Sequence, residues 1–395
     1  MSEEGQKPKK IRIGLLFGGR SAEHEVSLIS AKAVLAALDY TKYDVTLIGI
    51  TRQGRWLPLE APDDRPVDPA ALMASFNDPN ATDNTTHAAI LADPSEQSRG
   101  LAEIVEAIPG TAIHFGEPLD VVFPILHGPY GEDGTLQGLL ELAGIPYVGS
   151  GVLASSVGMD KVAQKDVFKA HGLPLLDYFQ VKRRDWQKTA NDPHNRDGLL
   201  ASIEAQLGFP CFVKPVNMGS SVGVSKATNR AELIVALDTA SRYDRKLLIE
   251  KGCNPRELEV GVLGNDEPQA SVVVEMVYQG HDFYNYEAKY KDNTLAFYIP
   301  AQIPAEVSDR LRQMAVEAFK ALDCAGMTRV DFFMDKDTNQ LYLNEVNTIP
   351  GFTPVSMYPM MWEASGLPYT QLLDRLIELA LERHADKSQS ELYPT

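Results

Sequence analysis

Two short stretches in the last third of the chain carry the residue types of a hard-cation site. In Arg329-Val330-Asp331-Phe332 and Asn344-Glu345-Val346-Asn347, polar and apolar residues alternate. A strand sends successive side chains to opposite faces, so Arg329 shares a face with Asp331, and Glu345 shares one with Asn347. If the two segments pair as a hairpin, three oxygen donors and one guanidinium converge. Mg²⁺ and similar cations take carboxylate and amide oxygens together with substrate phosphates, which makes Asp331, Glu345 and Asn347 a candidate two-ion site. A solvated sheet face with a satisfied salt bridge has the same alternation.

Other stretches could bind nucleotide or substrate. Lys214 to Gly223 follows a strand and is rich in small residues, so its backbone N–H groups could close over phosphate oxygens. It is not a Walker A sequence, and a surface turn is the plain alternative. Glu250-Lys251-Gly252-Cys253 with Glu257 joins two strands: backbone amides there suit an adenine edge and a carboxylate suits ribose hydroxyls, while a surface charge pair reads the same. Glu23, in Ser21-Ala-Glu-His-Glu25, sits at a helix start where acids cap and complement the macrodipole. His127-Gly-Pro-Tyr-Gly-Glu-Asp-Gly134 follows another strand, and carboxyl ends of strands in open α/β sheets are where ligands bind. Glu287-Ala-Lys289-Tyr290 reads as a lid or as an aromatic surface patch. Gly149-Ser-Gly-Val-Leu-Ala154 fits the GxGxxA dinucleotide fingerprint, but it ends the first domain instead of forming its first βα turn.

The elements that must position these residues alternate. Apolar runs at Ile11–Phe17, Tyr43–Ile50, Val121–Leu126 and Ile145–Val148, with helical spacing over Ser21–Leu38 and Asp133–Leu142, predict a parallel sheet for about the first 150 residues. Residues 60–116, rich in Pro, Asp, Asn and Ser, read as an insertion with weak helices. A helix over Gly151–Ala170, the strand Cys211–Pro215 and a helix at Ala231–Tyr243 predict a small α+β region. The last third has strands at Leu247–Lys251, Leu258–Leu263, Ala270–Val277, Thr328–Met334 and Gln340–Val346, with helices at Ala305–Leu322 and Thr370–Glu382.

With 395 residues, 44% hydrophobic and 23% charged, the chain is long enough for two or three cored domains. Its formal net charge of −17 disfavours nucleic acid and anionic membranes as partners. The three cysteines, Cys211, Cys253 and Cys324, have no metal-ligand spacing and read as reduced thiols. No apolar run reaches the length of a membrane span and Met1–Lys10 is polar, so the expected location is the cytoplasm.

Together these segments resemble the D-alanine–D-alanine ligases of the ATP-grasp superfamily. LLFGGRSAEHEVS, HGPYGEDGTLQG, GSGVLASSVGMDK, VKPVNMGSSVGVSK, LIEKG, YEAKY, TRVDFF and NEVNTIPGFTPVS occur in family order between Ile11 and Glu382. The resemblance implies an α/β and α+β chain: an N-terminal parallel-sheet (pre-ATP-grasp) domain at 1–150, and an ATP-grasp fold with a central domain at 151–248 and a C-terminal domain at 249–395. It implies ATP as substrate, two Mg²⁺ or Mn²⁺ ions, a homodimer and the synthesis of D-alanyl-D-alanine for peptidoglycan. Matched position by position, Glu23 meets the first D-alanine's ammonium with His127 close by, and Ser220 and Tyr290 complete that group. Lys161, Lys214, Ser221 and the lid's Lys289 match the phosphate site; Glu250, Lys251, Cys253 and Glu257 match the nucleoside site. Arg329 and Gly351 match the oxyanion-stabilising pair, Ser356 and Met357 the acceptor-carboxylate site, and Asp331, Glu345 and Asn347 the metal ligands. In relatives that make D-alanyl-D-lactate the position of Tyr290 tends to be histidine, so the tyrosine implies the dipeptide product. A silent ATP-binding homologue would lack a metal ligand or the lid lysine, and this chain has them all.

Overall fold

The computed structural model describes residues 9–59, 68–76, 86–95, 100–107, 110–278 and 295–391. Lys289 and Tyr290 lie outside these. The chain forms two units: Met1–Gly149 with Gly351–Pro359 and Gly366–Thr395, and Ser150–Pro350 with Met360–Ser365.

In the first unit β1 (Ile11–Gly18), α1 (His24–Ala37), β2 (Tyr43–Ile50), β3 (Trp56–Leu59), α2 (Pro69–Phe76), β4 (Thr86–Ala89), β5 (Gly100–Ala107), β6 (Gly110–Pro118), β7 (Val121–Ile125) and α3 (Thr135–Leu142) follow in order. The main sheet runs β3-β2-β1-β7, with β1 parallel to both β2 and β7. Ile13 to Phe17 and all of β7 are buried, as unbroken apolar runs should be in a strand covered on both faces. The inserted stretch departs from expectation. Beside α2 it forms a three-stranded antiparallel sheet, β4-β5-β6, instead of further helices. The Ala, Leu and Glu of Gly100–Ala107 favour helix locally, but pairing in register, with Ile104 opposite Ile113, overrides a weak propensity. The first helix also starts later than its periodicity suggests, at His24, because Ser21–Glu23 form a turn.

The second unit contains α4 (Val152–Met159), α5 (Lys161–Ala170), β8 (Tyr178–Lys182), α6 (Arg183–Lys188), α7 (Pro193–Leu207), β9 (Cys211–Pro215), β10 (Ser225–Ala227), α8 (Arg230–Ala240), β11 (Lys246–Lys251), β12 (Pro255–Gly264), β13 (Gln269–Tyr278), β14 (Leu295–Tyr298), α9 (Ala305–Ala321), β15 (Gly326–Asp335) and β16 (Leu341–Asn347). Two helices, α10 (Met357–Ala364) and α11 (Tyr369–Lys387), close the chain. Both sheets of this unit are antiparallel, in the orders β10-β9-β11-β8 and β14-β13-β12-β15-β16. Val213, Leu247 and Ile249 of the first sheet pack with Leu200, Ile203, Leu233 and Leu237. In the second, Leu258, Val260, Val262, Val330 and Phe332 pack with Leu311, Met314 and Phe319 of α9 and Phe168 of α5. The alternate residues of β12 and β15 therefore face the other way.

One helix expected over Gly151–Ala170 is two. Asp160 adopts extended backbone (φ −90°, ψ 98°), and its carboxylate accepts the N–H groups of Val162 (3.2 Å) and Ala163 (3.0 Å), which ends α4 and caps α5. That break puts Lys161 at the first position of a new helix. Among the described residues no helix is long and apolar enough to cross a membrane.

Candidate active site

In the first unit the site residues gather where β1 and β7 end. Gly18 turns the chain at φ +92°, and a Cβ there would lie 2.2 Å from the Ile50 carbonyl oxygen, so only glycine fits. The Gly18 N–H donates to Ser27 Oγ at 2.8 Å, and the Ser27 hydroxyl donates to the Ile125 carbonyl, tying α1 to both strand ends. The Glu23 carboxylate makes no helix-capping bond. Its Oε2 lies against Gly128, 3.2 Å from where a Cβ would stand, so Glu23 borders the loop that begins at His127. His127 is buried, with Nδ1 3.8 Å from Glu132 Oε1 and Nε2 3.4 Å from Ser30 Oγ. Burial raises the Glu132 carboxyl, the His127 contact pulls it back, and the charge of Glu23 adds to the rise.

Ser30 also accepts the N–H of Phe352 at 3.3 Å. Phe352 anchors the segment that holds Gly351 and Ser356, its ring packed on Phe123, Tyr358 and Tyr369 at 5.9–6.3 Å between centroids. Ser356 Oγ bonds Thr353 twice, at 2.9 and 2.7 Å, and comes within 2.7 Å of a would-be Cβ on Gly351. Met357 is buried. Glu23, His127, Gly351 and Ser356 are thus linked within one unit, through a serine that sequence reading passed over. Its signal was available: Ser27 and Ser30 are polar residues three apart on the apolar face of α1, and both are fully buried.

The second unit gathers the nucleotide and cation residues. Glu250, at the end of β11, is buried and meets two ammonium groups, Lys165 Nζ at 2.7 Å and Lys214 Nζ at 2.5 Å. Burial alone would raise this carboxyl, but the two cations outweigh it and hold it down to about 2. Lys214 moves the opposite way: burial would lower its ammonium, and Glu250 with Glu345 raises it. Lys161 Nζ reaches the Met218 carbonyl at 3.1 Å and Glu345 Oε2 at 3.2 Å. In the loop after β9, Ser220 and Ser221 are both left-handed, at φ 51° and 56°, a conformation that costs non-glycine residues about 1–2 kcal/mol. The loop is pinned by Asn217, whose N–H and amide donate to Asp244 Oδ2 at 2.6 and 2.9 Å. Its turn is therefore built, with N–H groups on consecutive residues. The Lys251 N–H donates to the Asp177 carbonyl at 2.9 Å, and burial pushes the half-buried Cys253 thiol up to about 11.

The outward face of β12, β15 and β16 is polar. Arg329 grips Asp331 with two bonds of 2.7 Å and stands 3.3 Å from Glu259 Oε2. Asp331 is directly opposite both Glu259 and Glu345, and Arg329 is opposite Asn347. Asn347 Oδ1 accepts the Ile349 N–H at 3.0 Å. The two strands do pair as a hairpin, and the three oxygen donors do share a face. No group of three or more His, Cys, Asp or Glu side chains among the described residues converges on a metal position. Two carboxylates and an amide fit Mg²⁺, which leaves most of its coordination to phosphate and water, and do not fit zinc. Glu257 and Glu259 were visible as acids between the apolar residues of β12, but only Glu257 was singled out. In the GxGxxA match Ser150 and Ala154 are buried, and Ser150 Oγ bonds the backbone of Ala325 at 3.2–3.3 Å, so these small residues serve packing.

An acid-stability consequence follows from Glu250. A carboxyl depressed in the folded state, from 4.5 to about 2, contributes stability that is complete above 4.5 and lost as pH falls through 2. At neutral pH that contribution is about 3 kcal/mol. Urea unfolding of Glu250→Gln should lose stability less steeply than the parent between pH 4.5 and 3; parallel curves would show that the carboxyl is not held ionised.

The sheet orders and this site define the ATP-grasp fold. Solved structures agree: the D-alanine–D-alanine ligase from Coxiella burnetii is 35% identical over 96% of this chain and 96% of its own, with a TM-score of 0.75. The VanG D-Ala:D-Ser ligase from Enterococcus faecalis is 36% identical over 94% of this chain and 100% of its own, with a TM-score of 0.79. Residues 12–150 match the family model for the D-ala D-ala ligase N-terminus, and residues 167–378 match that for the C-terminus. The chain belongs to the D-alanine–D-alanine ligase family. The D-alanine–D-alanine ligases of Acetivibrio thermocellus and Geobacillus kaustophilus are each 47% identical to it, over 95–96% of this chain and 96–97% of theirs.

Proposed function

We propose that this chain joins two D-alanines into D-alanyl-D-alanine at the expense of ATP, through a D-alanyl phosphate, releasing ADP and phosphate for peptidoglycan precursor synthesis. The observation that carries this reading is the direct register of Asp331 with Glu345, on a sheet face shared with Arg329 and reached by Lys161. The first D-alanine's ammonium pairs with Glu23, beside His127, with Ser220 and Tyr290 completing the group. Its carboxylate oxygen attacks the γ-phosphorus, the bond to the β-bridging oxygen breaks, and ADP leaves. Lys161, Lys214, Lys289 and the N–H groups around Ser221 hold the phosphates, and Glu250, Lys251, Cys253 and Glu257 hold the nucleoside. The second D-alanine, its carboxylate held at Ser356 and Met357, gives up an ammonium proton and attacks the acyl carbon through the resulting amine. Arg329 and the Gly351 N–H stabilise the tetrahedral oxyanion, and phosphate leaves. Asp331, Glu345 and Asn347 would hold two Mg²⁺ or Mn²⁺ ions, which would supply neutralisation of the phosphate charge.

Under this reading the central and C-terminal ATP-grasp domains occupy 151–248 and 249–395, and the working form is a cytoplasmic homodimer. A second reading, D-serine as acceptor, is favoured by the VanG likeness; 47% identity to D-alanine–D-alanine ligases outweighs 36%. The test is phosphate release from ATP with Mg²⁺ and D-alanine, L-alanine as control, with the product identified by mass. D-alanine-dependent phosphate with the dipeptide mass is expected. A mixed product that dominates when D-serine competes with D-alanine would replace the acceptor, and no release with any D-amino acid would overturn the activity.

A further inference from the structure

β16 is the edge strand of its sheet, and its pairing with β15 contains a bulge. Asp331 lies opposite Glu345, yet Phe332 lies opposite Leu343, so Asn344 is the extra residue. At strict period two, Glu345 would share a face with Leu343, which is buried in the core with Phe332. The bulge turns Glu345 to the polar face instead. A bulge on an edge strand leaves backbone groups outside the ladder, and two residues of α5 take them up. Lys165 Nζ donates to the Asn344 carbonyl at 3.0 Å, and the Val346 N–H donates to Gln164 Oε1 at 2.8 Å. These are the backbone atoms on either side of Glu345. Gln164 is itself fixed, its amide donating to the Gly158 carbonyl at 3.0 Å, and both side chains are 1–2% exposed. Lys165 meets Glu250 as well, at 2.7 Å.

We propose that Gln164 and Lys165 are positioning residues that hold the bulge presenting Glu345, and that Lys165, shared with Glu250, ties the nucleotide site to that cation ligand. The inference rests on the reading of Glu345 as a cation ligand. Neither residue touches substrate in this scheme; each acts through the backbone of β16. Groups that orient a ligand typically change metal affinity by about 10–100-fold when removed. The two residues differ in one respect that a test can use: only Lys165 reaches Glu250.

The experiment measures Mn²⁺ affinity of the full chain with ATP by electron paramagnetic resonance, and KM for ATP and for D-alanine, in Gln164→Met, Lys165→Met and Glu345→Gln. Gln164→Met should weaken Mn²⁺ about 10-fold with KM for ATP unchanged. Lys165→Met should weaken Mn²⁺ as much and raise KM for ATP too, and neither should move KM for D-alanine. If both folded variants bind Mn²⁺ within twofold of the parent while Glu345→Gln does not, the clamp is overturned and the ligand reading stands. If Glu345→Gln also binds Mn²⁺ normally, the ligand reading itself falls. Should Lys165→Met fail to fold, the same Mn²⁺ measurement on Gln164→Met decides the positioning role.

Discussion

Glu345→Gln is expected to lower turnover by about 100-fold or more, a loss of roughly 3 kcal/mol from the transition state, while the fold persists. The two effects separate because Glu345 is partly exposed. Its ion pair with Lys161, with side chains 16% and 31% exposed, is worth at most about 1 kcal/mol, and glutamine keeps the shape. Opposite Asp331, the carboxylate would hold a cation against the phosphoryl charge, which a neutral amide holds far more weakly. Steady-state kinetics at saturating Mg²⁺, with thermal melting as the control, measure both. Near-normal turnover would remove Glu345 from the cation site.

Arg329 should give the second large effect, on stability and chemistry together. Its guanidinium sits between Asp331 and the buried Glu259, so Arg329→Leu takes the guanidinium away from two carboxylates at once. Breaking a buried pair from one side costs about 3–5 kcal/mol. Arg329→Lys separates that cost from the chemistry: it keeps the charge but loses the two-pronged bond. Its stability should stay near the parent's while turnover drops by about 100-fold, the typical loss for one oxyanion donor. Urea unfolding and kcat on both variants test this. A lysine variant within a few-fold of parental turnover would exclude Arg329 as the oxyanion donor, and a leucine variant as stable as the parent would mean that the guanidinium does not stabilise the two carboxylates.

Much of the fold was legible because each signal is local. The apolar runs Ile11–Phe17 and Val121–Leu126 can only be satisfied by burial on both faces, and glycines after them can only turn, so the parallel sheet and its ligand-facing ends follow from the residues themselves. The motifs order the nucleotide and cation residues along the chain for the same reason. Where propensity is weak the reading failed: residues 100–107 favour helix locally and become strand by pairing with β4 and β6.

The face on which the principal carboxylate stands was a different matter. The spacing Leu341-x-Leu343-x-Glu345-x-Asn347 puts all four on one side at period two, and only the bulge at Asn344 sends the leucines into the core and the two ligands out. Likewise the partners of Ser30, Lys165, Gln164 and Glu259 cannot be read from their neighbours in sequence; they lie 322, 179, 182 and 70 residues away, at Phe352, Asn344, Val346 and Arg329. Sequence determined which residue types were available and which elements would carry them. Tertiary structure decided which buried polar group satisfies which, since a buried donor or acceptor must find a partner wherever the folded chain brings one.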